Sequence, residues 1–212
     1  MRTLSIIIHA VQVMTVAACF YYLLKRRSAQ PYRFFSIGWI LILLQDLTMV
    51  VIGLFYPVHN QWVYNIALPL QQLFCMFFFM LLLQQKKWMI AMVIFTLFVL
   101  FNLFQWQGLV KLNTVSLALG GIIIVVLAFS ELYAIYKQET SQSIFRDPAF
   151  WISAGFIIYW GFASPFFAMY NFLWETYPRF FIIYFYTVNF GFLILLNLAI
   201  IKALQCSLKT RK

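Results

Sequence analysis

The sequence predicts an all-α membrane protein, one bundle of seven transmembrane helices with its N-terminus outside and its C-terminus in the cytoplasm. Three observations predict it. The 212 residues are 65% hydrophobic and 9% charged, with a mean hydropathy of +0.90, whereas a soluble domain carries about 25% charged residues. Apolar runs long enough to cross a hydrocarbon core of about 30 Å recur seven times between short polar breaks. The 15 Lys and Arg, set against 5 Asp and Glu, gather in alternate breaks, as cytoplasmic loops do. Seven spans of about 22 residues take up nearly three quarters of the chain and leave no stretch of domain size outside the bilayer. An appended kinase, nuclease or nucleotide-binding domain is thereby excluded. In so apolar a chain the net charge of +10 reads as loop anchoring and not as nucleic-acid binding.

Taken in order, the helices fall near 3–24, 34–56, 62–84, 88–106, 114–136, 149–170 and 179–204, in a single domain covering 1–212. The first run ends in Lys25-Arg26-Arg27 and is followed by more spans, so it is a retained helix and not a cleaved leader. Helix 2 lies between Arg33 and Pro57. Helices 3 and 4 are parted by Gln84-Gln-Lys-Lys87; without a turn there they would fuse into a span too long for any bilayer. Helix 5 opens at Thr114 and closes at Lys137, while Pro148 and Pro178 precede helices 6 and 7. Trp62, Trp88, Trp106, Trp151 and Trp174 sit near span ends, where an indole keeps its N–H wet. Loops 1, 3 and 5 with the C-terminal end hold twelve Lys and Arg, and the N-terminus with loops 2, 4 and 6 holds three, Arg2, Lys111 and Arg179. That asymmetry sets the orientation. Cys19, Cys75 and Cys206 are too scattered for a disulfide framework or a metal motif.

Span centres near 13, 45 and 73 recur near 125, 160 and 191, which makes helix 4 a linker between two triplets of like orientation. Locally, Tyr22-Leu-Leu-Lys25 before Phe34-Phe-Ser-Ile-Gly38 parallels Tyr133-Ala-Ile-Tyr-Lys137 before Phe150-Trp-Ile-Ser-Ala-Gly155. This 3+1+3 layout resembles the PQ-loop superfamily of sugar transporters and retrieval receptors, although Gln30-Pro31 stands in reverse order. A second resemblance rests on Asn60-Gln-Trp-Val-Tyr-Asn65, on Asp147-Pro-Ala-Phe-Trp-Ile-Ser-Ala-Gly-Phe-Ile-Ile-Tyr159, and on Leu193 to Asn197. These stretches are similar to those of a group of small bacterial seven-helix membrane proteins often encoded beside signalling kinases. The likeness covers nearly the whole length. It implies the fold, a bacterial cytoplasmic (inner) membrane and a signalling-kinase partner, and Asp46 matches that group's acidic residue in helix 2. No other site carries across.

A charge at mid-bilayer costs about 2.5–3.5 kcal/mol on insertion scales, so buried ionisable residues are the functional candidates. Asp46 is the sharpest. It shares a helix-2 stripe with Ser36, Trp39, Leu43, Val50 and Gly53, and it suits a proton relay or the capture of an amine or hydroxyl; the alternative is a hydrogen-bonded packing residue. His9, one turn from Gln12, is either a structural histidine or a pH-responsive ligand contact. Glu131, near the cytoplasmic end of helix 5, is either a snorkelling surface carboxylate or a gate paired with the basic loops. Asn65 and Gln72 in helix 3, Asn102 in helix 4 and Asn189 in helix 7 join His9, Gln12 and Asp46 in the outer half of the bundle. They would line a pocket for a small-molecule or lipid ligand, or else bond helix to helix at about 0.6 kcal/mol a contact. Pro165 is the hinge candidate of helix 6, packing being the alternative.

Catalytic signatures are missing. No Lys lies mid-way along the last helix for a retinal Schiff base, two His in all cannot assemble a zinc site, and no glycine-rich phosphate loop occurs. Asp46 and Glu131 fall at different depths, too far apart for an acid pair. The expectation is a non-enzymatic protein without a cofactor or metal. It is a ligand-sensing or signalling module working through a separate partner, or a small-solute, proton-coupled transporter of the 3+1+3 type, or a structural membrane subunit. An enzyme of lipid or quinone chemistry ranks last.

Overall fold

The computed structural model describes residues 2–25, 30–55, 61–108, 111–137 and 143–209, without the side chains of 2–6, 50, 53–55, 180, 182, 184–186 and 209. Arg26, Arg27, Pro57, Arg211 and Lys212, used above for loops and orientation, lie outside the described residues. Among those described, the chain is helical without a strand. Its helices are α1 (Arg2–Lys25), α2 (Gln30–Phe55), α3 (Gln61–Leu83), α4 (Lys87–Phe101), α5 (Thr114–Lys137) and α6 (Pro148–Thr176), followed by α7, built of Pro178–Tyr184 and Phe190–Lys209. A π-helical turn, Asn102–Trp106, extends α4; another, Phe185–Asn189, joins the two parts of α7.

Three boundaries differ from expectation: α7 runs to Lys209, past 204, and two others differ for identifiable reasons. α2 starts at Gln30, ahead of Arg33, because proline is favoured in a first helical turn and Pro31 continues the helix it was expected to precede. α6 runs to Thr176 through Asn171 and Glu175. At 29 residues it is about 43 Å long, more than an upright crossing of a hydrocarbon core of about 30 Å needs. Pro165 stands inside this unbroken helix on an exposed face.

Six segments among the described residues are long and apolar enough to cross a membrane: Ile7–Lys25, Gln61–Leu83, Lys87–Trp106, Thr114–Lys137, Pro148–Thr176 and Thr187–Leu208. The chain is an integral membrane protein. α2 is not among the six, because Gln30, Arg33, Gln45 and Asp46 lower the hydropathy of its described part. It packs between α1 and α3.

Neighbouring helices close a ring in the order α1, α2, α3, α5, α6, α7 and back to α1, and α4 lies outside it against α3 and α5. Close approach depends on small residues. Gly121 of α5 meets Ser164 and Trp160 of α6, Gly120 meets Gln72 of α3, and Gly155 of α6 meets Ala199 and Leu196 of α7. At the centre Phe35, Trp39, Phe78, Phe79 and Phe156 form a buried aromatic plug. Ring centroids are 4.4 Å apart for Phe35 and Phe78, 5.8 Å for Trp39 and Phe156, and 5.5 Å for Phe79 and Phe156. Outward faces are apolar too, with Leu41, Ile94, Leu97 and Phe162 exposed, as lipid contact requires.

Candidate functional site

Asp46 is placed by the α2 stripe that also presents Phe35, Trp39 and Leu43 to the bundle interior. Its Oδ1 accepts a hydrogen bond of 2.7 Å from Nε2 of Gln71 on α3. Tyr159 of α6 stands within electrostatic range of Asp46 and of Cys75. Among the described residues no Lys, Arg or His pairs with Asp46, and their one ion pair is the exposed Lys111–Glu175 contact of 3.3 Å. A carboxylate with a neutral amide as its only protein donor is under-satisfied in a low-dielectric interior, and either a proton or a cationic guest makes up the difference.

Deeper along the same stripe, Trp39 Nε1 donates to Oδ1 of Asn197 on α7 (3.4 Å), and Asn197 Nδ2 donates to the Leu193 carbonyl (2.9 Å). Near the basic end, the Tyr22 hydroxyl of α1 meets the Ser207 hydroxyl of α7 at 3.3 Å. The aromatic plug sits among these contacts. Asp46 and the Trp39–Asn197 contact with α7 thus share one side of α2.

The other sequence candidates are dispersed. Gln72 turns to α5, where its Nε2 donates to the Leu117 carbonyl (2.7 Å) and its Oε1 is buried without a partner. Asn65 and Asn102 belong to a polar knot that fastens the start of α5. Asn65 Nδ2 donates to the Lys111 carbonyl (2.8 Å) and its Oδ1 accepts from the Asn113 amide (2.7 Å). Asn102 Nδ2 donates to Asn113 Oδ1, to Ser116 Oγ (3.0 Å) and to Gln107 Oε1 (3.1 Å). Asn113 also caps α5, its Oδ1 accepting from the Ser116 amide (3.3 Å). Asn171 of α6 reaches the Leu112 carbonyl at 3.4 Å. These are interhelical and capping bonds, the alternative weighed for Asn65 and Asn102.

His9 and Gln12 bond one another along α1 at 3.1 Å on its exposed side. They do not converge with Asp46. Asn189, in the π turn of α7, borders a cleft of ≈ 10 Å³ with Tyr159, Phe162 and Phe192, room for about one water. It shares Tyr159 with Asp46 without a hydrogen bond between them. Glu131 is 8% exposed, so it does not snorkel, and among the described residues it makes no ion pair. The charged group nearest it electrostatically is Asp147, which caps α6 by accepting from the Ala149 amide at 2.8 Å. Lys137 and Lys202 lie instead over the rings of Tyr133 (4.8 Å) and Trp151 (5.9 Å).

Sequence reasoning missed Tyr159 and Gln71 as neighbours of Asp46. A tyrosine mid-span, away from the interfacial belt, was the available signal for the first. Compared with family models, curated proteins and solved structures, the chain matches none.

Proposed function

We propose that the chain is a non-enzymatic sensing and signalling module of a bacterial cytoplasmic membrane, N-terminus outside, with Asp46 as its responsive group and a separate partner, such as a signalling kinase, reading its output. The observation that carries this reading is an interior carboxylate held by one neutral amide and packed in series with Leu43, Trp39 and Asn197. Protonation of Asp46, or arrival of a cationic or hydroxylic guest, redistributes its hydrogen bond with Gln71. α2 is then free to shift against α7 through the Trp39–Asn197 contact. A partner at the basic end reads that shift, since these residues supply no output domain of their own.

Trp39 offers the test. In lipid nanodiscs, the difference in tryptophan emission between wild type and Trp39→Phe, followed through a pH titration with the proton as probe, isolates this one indole. The difference is expected to change with pH, and the same difference taken in an Asp46→Asn background is expected to be flat. Identical titrations in the two backgrounds would remove Asp46 from the role.

One observation favours transport as a second reading. Exchange of the triplets α1–α2–α3 and α5–α6–α7 carries the α3/α5 junction onto the α7/α1 junction, with α4 outside the ring, as a 3+1+3 transporter requires. In that reading the aromatic plug is the closed gate. Proton or solute flux in reconstituted vesicles that Asp46→Asn abolishes would establish it in place of the first.

A further inference from the structure

Where α2 begins and α3 ends, the bundle carries an open groove of ≈ 510 Å³ lined by Gln30, Pro31, Phe34, Leu81 and Gln84. The apolar span Gln61–Leu83 ends there and the span Lys87–Trp106 begins beside it. The groove therefore lies at the level where hydrocarbon gives way to headgroups. One wall is apolar. The Phe34 ring packs on Phe74 (5.2 Å) and Phe77 (5.3 Å), and beyond it the outward side of α2 continues through exposed Ile37, Leu41 and Leu44, a track for an acyl chain.

The other wall is polar, with Gln30 and Gln84. Close to them in sequence, Arg33 in the first turn of α2 and Lys86 and Lys87 after α3 are exposed, Lys87 lying over the Trp88 ring at 5.5 Å. Among the described residues of α2 and α3, no acid lies beside them. α3 carries none, and the first on α2 is Asp46, about four turns deeper.

Gln84 adds a separate observation. Its φ of 53° is the one positive value among the described residues outside glycine, and its amide donates to the Met80 carbonyl at 3.0 Å, closing α3. Helices ordinarily place glycine at this left-handed position, because a Cβ is strained there. The chain keeps a strained carboxamide instead, and that side chain lines the groove.

We propose that this groove binds an anionic phospholipid, its phosphate held by Arg33, Lys86, Lys87 and the two carboxamides, with one acyl chain along Phe34 and the outward side of α2. The site is independent of the function proposed for Asp46. The test is thermal unfolding of the full chain in a non-ionic detergent during titration with phosphatidylglycerol, with phosphatidylcholine of the same acyl chains, and with inorganic phosphate.

Phosphatidylglycerol is expected to raise Tm saturably, and the other two to leave it unchanged. The Arg33→Ala/Lys86→Ala double variant is expected to bind phosphatidylglycerol more weakly by about fivefold per charge removed. Gln84→Gly is expected to unfold no lower than wild type and yet to bind the lipid more weakly, which separates loss of the site from loss of the fold. The proposal is overturned if phosphatidylcholine matches phosphatidylglycerol, if inorganic phosphate alone reproduces the shift, or if either variant binds as wild type does.

Discussion

Two glycines on neighbouring elements illustrate how much a single position can carry. At Gly120 an added methyl group would meet the Gln72 carboxamide and the Phe95 ring, both buried, whereas at Gly161 it would meet nothing within 4 Å. Gly120→Ala is therefore expected to destabilise by about 1–3 kcal/mol through overpacking. Gly161→Ala is expected to be neutral or to stabilise by up to about 1 kcal/mol, the helix-propensity difference. Detergent-phase unfolding of both variants checks the pair, and equal Tm shifts would contradict the packing described for the α3/α5 seam. The polar residues divide in the same way. That Asp46, Gln72 and Asn102 lie on helices was readable from the sequence, but azimuth was not, and azimuth separates Gln72, turned to α5, from Gln71, turned to Asp46. A lipid-facing surface is as apolar as the interior, so the hydrophobic periodicity that shows which face of a soluble helix is buried is largely lost here.

Among the elements, the start of α5 is the most heavily tied. Asn113 caps the helix, receives Asn102 from α4 and bonds Asn65 of α3 through its amide. Asn113→Ala removes the cap and the acceptor for Asn102 together, and it is expected to lower stability by about 1–2 kcal/mol. Asn189→Ala, whose side chain borders only a water-sized cleft, is expected to lower it by less. Calorimetry of the two variants would decide, and an equal or reversed order would show that the knot is not what secures this helix. Most element boundaries were legible, because charge and proline clusters mark them, as Lys86-Lys87 and Pro148 do. The two π turns were not: the extra residue in each is set by packing against neighbours, and Asn102–Trp106 reads in sequence as ordinary helix. The same limit hid the length of α6, whose polar last turns, with Asn171 and Glu175, read in sequence as a loop.

Over the whole molecule, contact between helices is uneven. Among the described residues the backbones of α5, α6 and α7 lie closest together through their glycine seams, whereas α1, α2 and α3 meet more through large side chains, as at Gly38 against Phe74 and in the aromatic plug. Such a division was invisible in a sequence whose two triplets are equally apolar. It has a consequence for biosynthesis. The ribosome delivers α1 to α3 to the bilayer first, yet among the described residues their backbones approach one another less closely than those of α5 to α7, so they are expected to wait in the membrane until the later triplet supplies a surface to close against. Expressed alone, residues 1–106 are expected to be short-lived, while residues 111–212 persist, and co-expression of the two is expected to rescue the first. Pulse-chase lifetimes that ranked the fragments the other way would show that the early helices assemble unaided. In the cell, the interval between synthesis of α3 and of α6 is thus the time in which membrane quality control has its best access to this chain.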